Sequence, residues 1–260
     1  MLYVYAIAED LGADIRAVPL DVGILPETSV VRVPYGPFIA VVSVVPEAIF
    51  GAEALPRYLE DCAWTRERVL AHERVVAALV PVTTVLPLKF CTLFSGEATL
   101  QDTLMRHRAT LEDTLSGLRG AREWGVKLFV DPSHAAPMPA GAVAAVTPGA
   151  GAAFFRRKRD EQEAVETAKA RLEHCVVESH RRLAVHARAA VSNPLQPPAL
   201  HGRPGEMALN GAYLVGRDAE PAFRLALAEL EQSYGESGIH YELTGPWGPY
   251  NFAGAPLANA

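Results

Sequence analysis

The amino-acid sequence predicts a two-domain α+β protein whose C-terminal domain follows the split βαβ plan of a ferredoxin-like fold. Strand and helix patterns after residue 120 occur in the order β-α-β-β-α-β, which is that plan. The patterns before residue 120 also mix strands with helices, but in a less regular order. A chain of 260 residues is long enough for two domains. We therefore divide it into an N-terminal α+β domain, 1–120, and a C-terminal domain, 121–260.

Alternating apolar residues predict three strands in the N-terminal domain, at 2–7, 30–33 and 38–45. A turn-like tetrapeptide at 34–37 joins the last two. The segment TVLPLKFCTLF at 84–94 is predicted to be extended and interrupted by Pro87. Helical spacing predicts three helices: a short one at 55–62, one with Val69, His72, Val76 and Leu79 on one face, and a single amphipathic helix from Leu100 to Leu118.

The C-terminal domain is predicted to contain a long charged helix, from residue 155 to about residue 190. Apolar or small side chains recur there at steps of three or four, and the other faces are charged. Such a narrow stripe is typical of a helix packed along one side, or of a coiled-coil-like seam. A Pro/Ala/Gly-rich loop of about twenty residues precedes it. The other predicted elements are strands at 126–130, 195–200, 207–215 and 239–243, and a helix with Phe223, Leu227, Leu230 and Tyr234 on one face.

Composition and charge exclude several classes of protein. The formal net charge of −6 argues against a dedicated nucleic-acid-binding protein, which usually carries a basic face. The chain has an odd number of cysteines, and they are far apart in the sequence: Cys62, Cys91 and Cys175. This excludes a disulfide scaffold and fits a reducing cytosol. The N-terminus shows no export signal, and prolines interrupt the uncharged stretch at 132–155. We expect a soluble cytosolic protein without a lipid-membrane or nucleic-acid partner.

No segment carries a complete catalytic, cofactor-binding or metal-binding motif. The glycine-rich run before the long helix has Phe154 at the third glycine position of a dinucleotide fingerprint. His72 and Glu73 begin like a zinc-protease motif, but Val76 replaces the second histidine, so we interpret His72 as a packed core residue. We interpret the polar cluster on the long helix as solvated or seam positions: His174, Cys175, Glu178 and His180. The sequence therefore predicts no enzyme and no cofactor.

The aromatic Gly/Pro-rich tail of the C-terminal domain is a candidate partner-binding segment. It reads ELTGPWGPYNF and places Trp247, Tyr250 and Phe252 among glycines and prolines. These fix an irregular path, so the three aromatic residues do not belong to one helix face or one long strand. Either they fold back to cover the domain, or they form a recognition surface in which Trp and Tyr are common anchors.

Six segments, in the same order along the whole chain, together resemble a known family. They are LYVYAIAE at the start, HERVVAAL at 72–79, TVLPLKFCTLF at 84–94, EWGVKLFVD at 123–131, FFRRKRDE at the start of the long helix and ELTGPWGPYNF at 242–252. This combination resembles the gas vesicle protein F/L family (GvpF/GvpL). The motifs do not separate the F from the L branch.

Small departures from the family's pattern occur at three places. Lys89 stands where the family usually has arginine, and it keeps the charge but loses the bidentate fork. Cys91 stands where the family usually has glycine, so we expect that residue 91 does not need a positive φ. Gly248 stands where the family usually has proline, after Trp247.

The resemblance implies a two-domain α+β protein whose second domain is a modified ferredoxin-like fold. It also implies a non-catalytic accessory or minor structural protein of the gas vesicle in the cytoplasm. Its expected partners are the hydrophobic main shell protein (GvpA) and other accessory gas vesicle proteins. A structural role is implied for ten motif positions: His72, Glu73, Arg74, Pro87, Lys89, Phe90, Trp124, Gly125, Gly245 and Pro246.

Two functions from different classes stay open at this point. An escort for a shell protein needs an apolar surface or an open strand edge, and the tail, a sheet edge and the seam of the long helix are candidates. The alternative is a small-ligand-binding or enzymatic α+β protein, because a ferredoxin-like fold does not fix a function. A pocket lined by His72, Lys89 or His240 with perturbed titration would favour this alternative.

Overall fold

The chain folds into two compact units. The computed structural model describes residues 1–9, 14–131, 150–203 and 205–254. The first unit comprises Met1–Glu123 together with the segment that begins at Gly245, and the second comprises Trp124–Thr244. The domain division predicted from the sequence instead places the segment from Gly245 onward in the C-terminal domain. The first unit is therefore built from two stretches of chain that are far apart in sequence.

The first unit contains a five-stranded antiparallel sheet. Its order is β2-β3-β1-β4, and β5 also pairs with β1. The central strand is almost wholly buried, which explains why its sequence is apolar on both faces. A tight turn joins β2 to β3, with Gly36 at a φ of +61°. The strands are β1 (Leu2–Glu9), β2 (Val31–Tyr35), β3 (Phe38–Val44), β4 (Val85–Pro87) and β5 (Leu93–Phe94).

Helix α4 supplies most of the helical part of the first core. Asp61 caps it by accepting hydrogen bonds from the backbone N–H groups of Ala63 and Trp64. Its buried side chains are Ala71, His72, Val75, Val76 and Leu79. The helices of this unit are α1 (Asp14–Ala17), α2 (Glu47–Phe50), α3 (Leu55–Glu60), α4 (Cys62–Leu79), α5 (Glu97–Arg106) and α6 (Arg108–Leu118).

The single amphipathic helix predicted from Leu100 to Leu118 is wrong, because two helices occupy this segment. They meet at His107, whose φ of −102° and ψ of 14° are not helical. The buried stripe has no apolar residue between Leu104 and Leu111, so packing does not hold the intervening turn in a helical conformation.

The second sheet has four strands in the order β7-β8-β6-β9. The main elements follow the order β-α-β-β-α-β that the sequence predicts, and the mixed α+β class is confirmed. The name ferredoxin-like stays our interpretation of this order. The elements are β6 (Ala121–Val130), α7 (Ala150–Ala184), β7 (Ala189–Ser192), α8 (Pro198–His201), β8 (Glu206–Gly216), α9 (Glu220–Tyr234), a short 3-10 helix (Gly235–Ser237) and β9 (Ile239–Trp247).

Two boundaries in this half differ from the predictions. Helix α7 ends at Ala184 rather than near residue 190, because Ala189–Ser192 pairs with β8 as an edge strand. The predicted strand at 195–200 is wrong: Pro194, Pro197 and Pro198 lack the N–H groups that a ladder needs, and a short helix forms instead. The predicted loop before α7 falls mainly on 132–149, outside the described residues.

In the described part of the chain, every helix is too short or too polar to span a membrane. Within the same ranges, no group of three or more His, Cys, Asp and Glu side chains could hold a metal ion.

Candidate functional site

Residues from five separate segments meet in the first unit, and we call them the motif cluster. The contributing elements are β1, α4, the turn between β4 and β5, the start of β6 and the chain that follows β9. All five segments belong to the stretches that carry the family resemblance. The members of the motif cluster are Tyr3, His72, Glu73, Phe90, Glu123, Tyr250 and Asn251.

His72 lies at the centre of the motif cluster and is 1% exposed. Its Nδ1 is 2.8 Å from the hydroxyl of Tyr3, and that hydroxyl also accepts a hydrogen bond from the backbone N–H of Cys91 at 3.2 Å. We assign the Tyr3 hydroxyl as the donor to Nδ1, so the proton of the neutral ring is placed on Nε2. His72 is thus a hydrogen-bonded residue of the core.

Aromatic rings enclose His72. The ring of Tyr5 lies 5.7 Å away at an angle of 33°, Phe90 lies edge-on at 6.3 Å, and Tyr250 lies at 6.3 Å and 39°. Burial among these rings lowers the pKa of His72 to about 4, and the backbone of Leu88 opposes part of this shift. The imidazole is therefore neutral at physiological pH.

The chain after β9 returns to helix α4, and we call residues 248–252 the C-terminal strap. Gly248 is buried so closely that a Cβ atom there would lie 2.6 Å from Cγ1 of Val76 and 3.5 Å from Cγ of Pro87. Tyr250 packs against the first hydrophobic core. Glycine at 248 is therefore required by close approach, in the position where the family usually has proline.

Asn251 fastens the C-terminal strap to Glu123 at the start of β6. The backbone N–H of Asn251 donates to Oε2 of Glu123 at 3.0 Å, and its side-chain amide donates to Oε1 at 2.6 Å. Glu123 is only 5% exposed, so this carboxyl group is held in the interior by two donors from one residue. The bidentate contact fixes the path of the strap.

Glu73 and Glu123 form an acidic pair beneath the strap. Burial raises the pKa of Glu73, and its interaction with the Tyr250 hydroxyl opposes this shift. Burial also raises the pKa of Glu123, the hydrogen bonds from Asn251 oppose the shift, and the charge of Glu73 adds to it. Burial and the Glu73 carboxylate together raise the pKa of Tyr250, so its phenol is neutral.

The other motif positions of the first unit divide into buried and exposed residues. Pro87 is buried in β4 and Phe90 is half-buried against the core, whereas Arg74 and Lys89 are exposed. Among the described residues Lys89 makes no ion pair, so it does not clamp a carboxylate there. Gly245 has a φ of +113°, and a Cβ atom at this position would lie 2.9 Å from the carbonyl oxygen of Glu123. The Gly245–Pro246 peptide bond is cis.

The expectation that residue 91 does not need a positive φ is wrong. Cys91 has a φ of +62°, in the left-handed region that favours glycine. In this conformation its N–H points to the Tyr3 hydroxyl. The position therefore keeps the conformation that glycine would adopt, although the side chain is a cysteine.

Trp124 and Gly125 lie in the second unit. Trp124 is buried in its core, and the guanidinium carbon of Arg224 lies 4.4 Å from the centroid of the indole. The carbonyl oxygen of Gly125 accepts a hydrogen bond of 3.4 Å from the Thr244 hydroxyl.

The long helix places its polar cluster partly in the second core. Cys175 and Ser179 are buried, and the Ser179 hydroxyl is 2.6 Å from that of Tyr241. His180 Nδ1 is 2.9 Å from the Tyr213 hydroxyl. Glu178 is paired instead with Arg181 at 2.9 Å, at the surface. These contacts are packing on the buried face of the helix and ion pairing at its surface.

The three aromatic residues of the tail differ in their surroundings. Trp247 is 44% exposed, whereas Tyr250 and Phe252 are half-buried. The sequence pattern predicts the three as one group and does not single out Tyr3, Glu123 or Asn251 as site residues. The only hint in the sequence that these last three residues belong to a site is that they lie inside the quoted segments LYVYAIAE, EWGVKLFVD and GPYNF.

Comparison with known proteins decides the family of this chain. The family model described as gas vesicle synthesis protein GvpL/GvpF matches residues 1–254. This chain belongs to the GvpL/GvpF family. Gas vesicle protein L of Streptomyces sp. (strain CB03234) is 32% identical over 220 residues, which are 85% of this chain and 81% of that protein. Gas vesicle protein F2 of Halobacterium salinarum is 26% identical over 191 residues, 72% of this chain and 69% of that protein.

The fold of this GvpL/GvpF family member is also that of solved GvpF structures. GvpF from Anabaena sp. PCC7120 superposes with a TM-score of 0.69 over 97% of this chain and 95% of that one, at 18% identity. GvpF from Microcystis aeruginosa gives a TM-score of 0.66 over 97% of this chain and 98% of that one, also at 18% identity. The sequence-based assignment to the GvpF/GvpL family is confirmed.

Proposed function

We propose that this GvpL/GvpF family member is a non-catalytic accessory protein that assists gas vesicle assembly by binding the hydrophobic main shell protein (GvpA) and other accessory gas vesicle proteins. The observation that carries the proposal is the family match across residues 1–254. A shell protein before assembly exposes apolar surface and unpaired strand edges, which aggregate unless another surface covers them. The protein would act in the cytoplasm and at the gas vesicle.

Trp247 is the residue of the tail that we propose as a contact for the shell protein. It is large, apolar and 44% exposed, and it ends strand β9 directly after Pro246, so its backbone is already ordered and little conformational entropy is lost when a partner covers it. Tyr250 and Phe252 are half-buried and offer less surface to a partner. The proposal thus narrows the candidate surface from three aromatic side chains to one.

A second candidate surface is the edge of the first sheet. Strand β2 is the terminal strand in the order β2-β3-β1-β4, and Val31 is 46% exposed. A shallow depression beside it is lined by Val30, Val31, Arg32, Pro34 and Ile39. An extended apolar segment could add to such an edge by strand pairing, although Pro34 offers no N–H.

The long helix is the proposed contact for another accessory protein. Its C-terminal half packs on the second core through Leu172, Cys175 and Leu183. Residues 155–160 are exposed, and Val165 on the same stripe is 41% exposed. An amphipathic partner helix could therefore pair with the N-terminal half of α7.

The experiment is co-expression with the main shell protein, followed by pull-down and an assay of shell-protein solubility. Trp247→Ala is expected to reduce the co-purified shell protein about five-fold or more, since a central aromatic anchor contributes over ~1 kcal/mol. Leu225→Ala is the matched control, because Leu225 is an apolar residue of α9 that is 62% exposed. Equal capture by both variants would exclude Trp247 as the contact, and no association even after cross-linking would exclude direct escort of the shell protein.

The ligand-binding or enzymatic alternative has less support. The pKa of His72 is lowered, as the ligand-binding alternative predicts, but aromatic rings occupy the space around its imidazole. Lys89 and His240 are exposed. No specific observation therefore favours a substrate at these residues.

A further inference from the structure

We propose that the C-terminal strap is a releasable clasp closed by the acidic pair Glu73 and Glu123, held on helix α4 by acid and loosened by alkali. The clasp is independent of which partner the protein binds. Its geometry consists of the double hydrogen bond from Asn251 to Glu123, the contact of Gly248 with Val76, and the ring of Tyr250 over His72.

The balance of donors and charges under the strap explains why the clasp can open. Glu123 receives two hydrogen bonds, both from Asn251. Glu73 interacts with the Tyr250 hydroxyl. When both carboxyl groups are ionised, two like charges share this partly dehydrated site with the two neutral N–H donors of Asn251. One proton on the pair removes the repulsion and adds a donor.

The other groups that face the pair do not change charge between pH 5 and 9. Burial lowers the pKa of His72 on α4 to about 4, so its ring stays neutral. Burial raises the pKa of Cys91 to about 11 and raises the pKa of Tyr3 on β1 and of Tyr250 on the strap, so all three stay protonated.

The nearby cations are not aimed at the pair. Arg74 and Lys89 are exposed, and Arg122 precedes Glu123 on β6, where successive side chains alternate between the two faces. Glu73 and Glu123 are thus the carboxyl groups under the strap whose pKa burial raises.

The sign of the effect follows from linkage. The pKa of Glu73 and of Glu123 is raised while the strap covers them, and it returns toward the ordinary value when the strap leaves. A proton therefore binds the closed form more tightly, so closure is strongest below the ordinary glutamate pKa and weakens as pH rises through the raised pKa. Release would uncover apolar groups on Val76 and Pro87.

The test is amide hydrogen exchange of the full chain, read at the N–H of Asn251, which donates to Glu123. The protection factor of this N–H is expected to fall about ten-fold or more between pH 5 and pH 9, while the protection factor of the Ile7 N–H in the central strand stays constant. Glu73→Gln, which removes one charge of the pair, is expected to reduce the fall, because burial still raises the pKa of Glu123. Glu60→Gln removes one exposed charge from α3 and should behave like the native chain.

Three results would overturn the clasp. The first is a protection factor of the Asn251 N–H that does not change with pH in the native chain. This result needs no variant to be decisive. The second is an equal fall in Glu73→Gln and the native chain, since the pair could not then be the cause. Asn251→Ala, an exposed position, should lower the protection of the Tyr250 N–H at both pH values, and unchanged protection would likewise contradict the proposal.

Discussion

Cys91 combines a left-handed backbone with a side chain that packs on the first core. A non-glycine residue in this region is strained by about 1–2 kcal/mol. The substitution survives because a cysteine has no branch at Cβ and because its N–H reaches Tyr3 in this conformation.

Substitutions at residue 91 separate strain from packing. Cys91→Gly is expected to lie within about 1 kcal/mol of the native stability, since relief of strain offsets the lost packing and the greater entropy of the unfolded glycine. Cys91→Val is expected to lose about 2 kcal/mol or more, because a β-branched residue is a genuine outlier at this φ. Urea unfolding of both variants measures the difference, and a valine variant as stable as the glycine variant would contradict the strained conformation.

His72 makes stability depend on pH. Its pKa is lowered to about 4 in the folded protein, from an ordinary value near 6.5. The unfolded chain therefore takes up a proton more readily, and the contribution of His72, about 3 kcal/mol, is present above pH 6.5 and is lost as pH falls toward 4. In His72→Gln the free energy of unfolding should fall less over this range. Denaturant titrations at several pH values test this, and parallel pH profiles would refute it.

The elements show which features of the fold are readable from local pattern. Strands β1 and β3, helix α9 and the β-α-β-β-α-β order were predicted, because apolar alternation and helical spacing are strong there. The break at His107 and the short strand β7 were not, because each depends on tertiary packing or on a distant pairing partner. The same limit applies to the site: Tyr3, His72 and Tyr250 lie in quoted motifs, but only the fold reveals that these motifs meet.

The close approach of the strap to α4 predicts a glycine requirement. Gly248→Ala should cost about 1–3 kcal/mol, since the new Cβ would meet buried Val76 at 2.6 Å. Gly117→Ala is the matched control, because no atom beyond its neighbours and its own helix backbone lies within 4 Å of a Cβ at that position in α6, and it should gain up to ~1 kcal/mol from helix propensity. Thermal unfolding compares the two variants, and equal effects would rule out close packing of the strap.

At the scale of the whole molecule, the strap joins distant parts of the sequence into the first unit. A chain that ends at Trp247 loses the packing of Tyr250 and both hydrogen bonds to Glu123. We expect the first unit to lose about 2–4 kcal/mol, with the second unit unaffected. Hydrogen exchange read separately for β1 and β8 measures this, and a chain that ends at Gly254 is the control. Equal losses in the two strands would contradict a strap that serves the first unit.

Because the first unit is built from two distant stretches of chain, its parts are synthesised on the ribosome at different times. Its first stretch is complete at Glu123, but Gly245 is translated about 120 residues later, roughly ten seconds at usual elongation rates. During that interval, the nascent chain holds Val76 and the carboxyl groups of Glu73 and Glu123 without their final cover. Final closure of this unit therefore waits until the strap has been translated, so a ribosome-bound chain that still lacks the strap presents a different surface from the folded unit.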